Sequence, residues 1–203
     1  MKRFYTWVLA LLLAAACVLP AAAAPMQRQD FSDQAEIQNP GAVRMLVDLG
    51  LISGYTDGSF RPDAPVTREE IAKVIALLCT DAPQAANTAI FQDTQGSWGN
   101  TFICFCAERG ILTGDGQGTF RPKDNVTARE LAKMLLVVLG EDAECYTGTQ
   151  WAAHVDVDAL HLGIYDGFGG KPAAAISRDD ACLLIYNAMQ CPAVTNANAV
   201  GVM

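Results

Sequence analysis

Residues 67–70 read Thr-Arg-Glu-Glu and residues 177–180 read Ser-Arg-Asp-Asp, each directly ahead of an apolar stretch. An arginine in the first turn of a helix suits the capture of a carboxylate. Its planar guanidinium can give two parallel hydrogen bonds to an acid, and the helix terminus adds positive partial charge. Arg68 and Arg178 are therefore candidate contacts for an anionic ligand; the competing role is an ion pair with a neighbouring acid, worth little to stability at a surface. At 127–130 the chain reads Thr-Ala-Arg-Glu, so Ala128 stands in the arginine's place and Arg129 follows one residue later. One step along a helix turns a side chain by about 100°, so Arg129 is expected to point away from the equivalent groove. Trp98 and Trp151 offer flat aromatic faces of the kind that cover the apolar faces of sugar rings, and packing between units would use the same faces equally well.

Catalysis finds no comparable set of residues. The two histidines, His154 and His161, stand seven residues apart on one side of an expected helix, outside any recognisable metal or nucleophile motif. No GxSxG or HExxH occurs, and no glycine-rich phosphate loop follows an expected strand. Aligning Gly58 or Gly118 with the glycine of a calcium-binding loop leaves no glutamate at its last position. The expectation is a protein that is not an enzyme and uses neither metal nor cofactor.

The elements that must carry these residues come in repeats. Phe31, Asp33, Gly50, Gly54, Phe60, Arg61, Pro62, Thr67, Glu70, Ala72 and Lys73 all recur 60 residues later, from Phe91 to Lys133. Such a period marks a supersecondary unit that buries its apolar face only against its neighbours. A worn third copy keeps Trp151, Gly163 and Ile164 at matching spacing, loses three loop residues, and carries Lys171-Pro172 for Arg-Pro. Each unit reads as helix, loop, helix. Asn39-Pro40 is the expected start of the first helix, with a cap followed by a proline, and Gly50 suits its end. Thr67 with Glu70 and Thr127 with Glu130 form capping boxes, and Ser177 is the third cap. Behind each cap the same four offsets are apolar: Ile71, Val74, Ile75, Leu78; Leu131, Met134, Leu135, Val138; Ala181, Leu184, Ile185, Ala188. That is one helical face, repeated three times. Asp57-Gly58 and Gly116 to Gly118 form turns, Phe60 and Phe120 anchor the loops, and a short β element fits there.

Residues 1–24 have a basic tip, an apolar run and an Ala-rich end, the pattern of a cleaved secretory signal. The expected layout is a signal peptide at 1–24, units at 31–82, 91–140 and 145–191, and a flexible tail at 192–203. Without Lys2 and Arg3 the mature chain has 12 basic and 22 acidic residues, a net −10. That excludes a basic nucleic-acid face, and after cleavage no membrane span is expected. Six cysteines remain: Cys79, Cys104, Cys106, Cys145, Cys182 and Cys191. Three disulfides and buried free thiols are both open, and the spacing does not fit a zinc site.

Taken together, the FxD pairs, the tryptophan ahead of the first helix, LGLISGYTDGSFRP and VTREE resemble the S-layer homology domain over residues 31–190. The resemblance implies a mainly α fold of three tandem units packed around a pseudo-threefold axis into a three-pronged module. It also implies a ligand, secondary cell-wall polysaccharide of acidic, often pyruvylated type, bound in grooves between prongs and met by Arg68 and Arg178. Ala128 then implies a defective site on the second unit, and Asp179 and Asp180 threaten the third by pairing with Arg178. The expected role is non-covalent attachment of a secreted protein at the cell wall. The alternative is a structural module that has lost the glycan and binds an envelope protein partner.

Overall fold

The computed structural model describes residues 30–192, so the signal at 1–24 and the tail beyond Pro192 lie outside the described residues. Among the described residues there are six α-helices and no strands. They are α1 (Pro40–Asp48), α2 (Arg68–Cys79), α3 (Asn100–Glu108), α4 (Ala128–Leu139), α5 (Trp151–His161) and α6 (Arg178–Gln190), with 3₁₀ turns at Gln34–Glu36 and Ala143–Tyr146. No helix among them is long and apolar enough to cross a membrane.

The second helix of each unit starts where its cap dictates. Glu70 accepts from the Thr67 amide at 2.8 Å, and Glu130 from the Thr127 amide at the same distance. Ser177 Oγ accepts from the Asp180 amide at 3.1 Å. The apolar offsets behind the caps form the core: Ile71, Ile75, Leu131, Leu135, Leu184 and Ile185 are almost wholly buried. Burying each side chain of this size contributes about 2 kcal/mol. Leu78 and Val138, the last in their stripes, are only partly covered.

The unit of sequence is not the unit of packing. α2 packs on α3, α4 on α5, and α6 on α1, so α2 and α4 each serve the helix that follows in the chain and α6 returns to the first. Backbone bonds close the same circuit. Val126 N–H donates to Val66 O at 2.9 Å, Ile176 N–H to Val126 O at 3.0 Å, and Val66 N–H to Ile176 O at 3.2 Å. These single bridges stand where a short β element fitted the sequence. The first helical amides extend the circuit: Glu69 N–H reaches Pro122 O, Arg129 N–H reaches Pro172 O, and Asp179 N–H reaches Pro62 O.

Two of those proline carbonyls are placed by a strained residue. Arg61 and Arg121 have φ of 58° and 59°, a left-handed conformation that costs a non-glycine residue about 1–2 kcal/mol. Asp33 holds the first turn by accepting from the Phe60 and Arg61 amides at 2.8 and 2.7 Å, and Asp93 does the same for Phe120 and Arg121 at 2.9 and 2.7 Å. The FxD and FRP motifs are thus two halves of one clamp. Its aromatic half is the packing of Phe31 on Phe60 and Phe91 on Phe120, with ring centroids 5.2 and 5.4 Å apart.

One expected cap differs. The Asn39 side chain makes no capping bond at the start of α1. Asp179, reaching over from α6, accepts from the Gln38 amide at 2.8 Å and the Asn39 amide at 3.2 Å. A sequence cap acts locally, whereas this one arrives from 140 residues away.

Candidate functional site

The packing of each second helix on the next unit opens two grooves of one design. The first, about 240 Å³, is lined by the Ser53-Gly54-Tyr55 loop, by Glu70 and Lys73 of α2, by Arg178 from α6 and by Trp98. The second, about 300 Å³, is lined by Thr113-Gly114, by Glu130 and Lys133 of α4, by Arg68 from α2 and by Trp151. Each groove therefore takes its arginine from the preceding unit, its loop, acid and lysine from one unit, and its tryptophan from the following one.

Gly54 and Gly114 are there for lack of room. A Cβ on Gly54 would stand 2.5 Å from the Phe31 ring, and one on Gly114 would stand 2.5 Å from the Thr119 carbonyl oxygen. The clamp aromatics and the groove floor thus share one constraint.

Arg68 and Arg178 are only 7% and 6% exposed, which decides what they can do. Arg68 Nε donates to Phe120 O at 2.9 Å, Nη2 to Thr113 O at 3.1 Å, and Nη1 to the Glu130 carboxylate at 3.3 Å. Its guanidinium carbon lies 4.3 Å from the centre of the Phe120 ring. Burial pushes the Arg68 pKa down, and the Glu130 charge opposes that shift. Arg178 Nε and Nη2 donate at 2.9 Å to Phe60 O and Ser53 O, and its guanidinium lies between the Tyr55 and Phe60 rings. Both arginines fasten a neighbouring unit's loop while lining its groove.

Asp179 and Asp180 do not pair with Arg178 as the sequence suggested. Asp179 serves the start of α1, and Asp180 returns to its own cap, accepting from Ser177 Oγ at 3.0 Å. The location of the missing arginine also changes. The groove on the second unit is equipped, because Arg68 reaches it from the first unit. Ala128, fully buried, faces the third helix pair, where its amide donates to Ala174 O. The deficient groove belongs to that third pair. There the position six residues after the cap, lysine in the other two units, is Leu183, and the residue 60 before Trp98 is Gln38. Arginine, lysine and tryptophan are lost together.

Trp98 is 54% exposed and stands edge-on to Phe102 at 6.5 Å. Trp151 is partly buried, with the Lys133 ammonium 5.9 Å from its ring centre. Lys133 also donates to Tyr146 O at 2.9 Å, and burial lowers its pKa. Lys73 and Lys133 were not singled out as site residues from sequence. Their recurrence at an offset of 60, broken by Leu183, is the signal that could have found them.

Among the described residues the six cysteines are free thiols, and burial pushes Cys106 and Cys182 up to about 12. His154 Nδ1 contacts the Cys145 carbonyl at 2.9 Å. No group of side chains suited to a metal ion occurs among the described residues.

The S-layer homology domain matches residues 30–72 and 90–132. Over 160 residues, 71% of this chain, it is 27% identical to S-layer protein EA1 of Bacillus anthracis, covering 18% of that protein. It is 30% identical to cell surface glycoprotein 1 of Acetivibrio thermocellus, over 68% of this chain and 7% of the relative. It is also 26% identical to an uncharacterized cell wall amidase of B. anthracis, over 66% of this chain and 27% of the relative. The chain thus spans under a third of the length of each.

Proposed function

We propose that this chain, whose residues 30–72 and 90–132 are S-layer homology domains, is a non-catalytic cell-envelope protein that binds an acidic, pyruvylated secondary cell-wall polysaccharide. Residues 145–191 are its degenerate third unit, and the three units pack about a pseudo-threefold axis. Binding is non-covalent and holds a secreted protein at the cell wall.

The observation that carries this reading is the repeated groove. Each presents a lysine and an arginine above a glycine-floored loop, with a tryptophan on the rim. Within a chain of net negative charge, local cations of this kind are what a carboxylate ligand requires. An aromatic face beside them fits the apolar side of a sugar ring. The arginines set the groove's shape and positive potential, while the lysines supply ammonium donors along its wall.

The second reading is a structural or protein-interaction module without glycan. It is favoured by one observation: Arg68 and Arg178 already donate to backbone carbonyls. Co-sedimentation of the mature protein with wall sacculi, before and after removal of the secondary polymer, separates the two. Binding lost on stripping, and lost in the Lys73→Met/Lys133→Met double variant with the fold intact, supports the glycan. Binding that survives stripping overturns it in favour of the second reading.

A further inference from the structure

The residue following Arg68, Ala128 and Arg178 also reaches the next unit, and it does so with different chemistry at each junction. Glu69 of α2 accepts from Ser97 Oγ, just ahead of α3, and from Lys123 Nζ in the second unit's loop. Arg129 of α4 donates through Nε and Nη2 to the two oxygens of Asp156 in α5, at 2.9 and 2.6 Å. Asp179 of α6 takes the Gln38 and Asn39 amides at the start of α1.

We propose that this position is a pairing key that holds α4 to α5 and keeps α2 and α6 off α5. The apolar stripes carry little of that choice, because the same offsets are apolar in all three copies and the first three of each are buried. Electrostatics can make it. Arg129 placed at the junction of the first and second units would meet Lys123, and at the start of α1 it would meet only N–H donors. Glu69 or Asp179 placed against α5 would meet Asp156. Like charge therefore keeps α4 off the Lys123 junction and keeps α2 and α6 off α5, while α4 seated on α1 would forgo its carboxylate partner.

The key acts alike within one molecule and between two: it keeps α2 and α6 off the α5 of any copy, and when the α4–α5 pair fails its apolar faces are left free to associate between chains. The arginine of TARE then has a purpose of its own: it is the basic half of the one key with reversed polarity.

Three variants of the full mature chain test this, measured by light scattering after size exclusion and by amide exchange in α5. Arg129→Met removes the pair without adding a like charge; it should stay monomeric, with α5 protection reduced less than tenfold. Arg129→Glu sets two acids together; it should lower α5 protection more than tenfold and populate concentration-dependent oligomers. Arg129→Glu/Asp156→Arg should restore the monomer and the protection. The proposal is overturned if Arg129→Glu behaves as Arg129→Met does, or if the charge-reversed pair is no better than Arg129→Glu alone. Should Arg129→Glu fail to fold, rescue by the reversed pair decides the matter by itself.

Discussion

The groove that receives Arg178 and the junction that receives Ala128 occupy equivalent places in one circuit of helices. In the first, a guanidinium crosses between units, donates to two backbone carbonyls and leaves a cavity of about 240 Å³ with Lys73 and Trp98 on its walls. In the second, a methyl group, Leu183 and Gln38 stand at the corresponding positions. The backbone circuit is complete at both: Asp179 N–H reaches Pro62 O, and Arg129 N–H reaches Pro172 O. The comparison separates what closes the ring, which every junction keeps, from what equips a groove, which one junction has lost as a set.

The largest effect should come from the arginines. Arg178→Ala leaves the Phe60 and Ser53 carbonyls without their donor, and hydrogen bonds to charged groups are worth about 1.5–3 kcal/mol. A loss of about 3 kcal/mol is expected in urea unfolding, with Arg68→Ala at least as costly because Glu130 also loses its partner. Ala128→Gly, at the same helical position, should cost no more than about 1 kcal/mol. Equal losses at 128 and 178 would break the comparison, because the deficient junction would then depend on its residue as the equipped one does.

Next in size are the glycines. Gly114→Ala should cost about 1–3 kcal/mol, since its new methyl would overlap the Thr119 carbonyl and the Phe91 ring. Gly169→Ala in the third loop meets open space at a backbone angle other residues tolerate, so its thermal midpoint should not fall. A stable Gly114→Ala would show that the loop under the groove can move, and the idea of a preformed floor would fail.

The lysines sharpen the comparison on the side of binding. On the proposed glycan reading, Lys73→Met should weaken binding to a pyruvylated wall polymer about tenfold, or roughly 1.4 kcal/mol, with urea stability unchanged. Lys133→Met should weaken it similarly and also cost about 1 kcal/mol of stability, because the ammonium bonds Tyr146 O. Leu183→Met should change neither quantity. Calorimetric titration of the three reads this directly, and an affinity loss in Leu183→Met would place ligand where none is expected.

Much of this architecture was legible in the letters. The offset of 60, the capping boxes and the four apolar offsets name α2, α4 and α6 almost to the residue, because caps and periodicity are local signals. Neighbour choice was not legible. Nothing in TREE tells that Arg68 will fasten the loop of the following unit, or that Asp179 will cap α1 in place of Asn39. Those contacts exist only once the chain has closed on itself. For the same reason Ala128 suggested a defect in the second unit's own groove, when its effect falls on the third.

The smallest effects are those of acid, and they should run in opposite directions at two carboxylates. Asp115 shapes the loop beside the second groove, accepting from Thr119 Oγ1 at 2.5 Å and from the Gln117 and Thr119 amides. These bonds pull it down to about 2. Asp179 closes the junction beside the first groove, and burial raises it above the ordinary carboxylate value despite its two amide partners. A lowered carboxylate contributes stability above its unfolded pKa and loses it as pH falls through the folded one. A raised carboxylate does the reverse, its contribution being complete below the unfolded pKa and lost as pH rises through the folded value. The stability advantage of the wild type over Asp115→Asn should therefore shrink between pH 3.8 and about 2. Its advantage over Asp179→Asn should grow as pH falls toward 3.8 and level off below it. Urea midpoints from neutral pH down to about 2 test both signs. Parallel slopes would mean that Asp179 is as well solvated as the turn acid, and that the ring closes at α1 without burying a carboxylate.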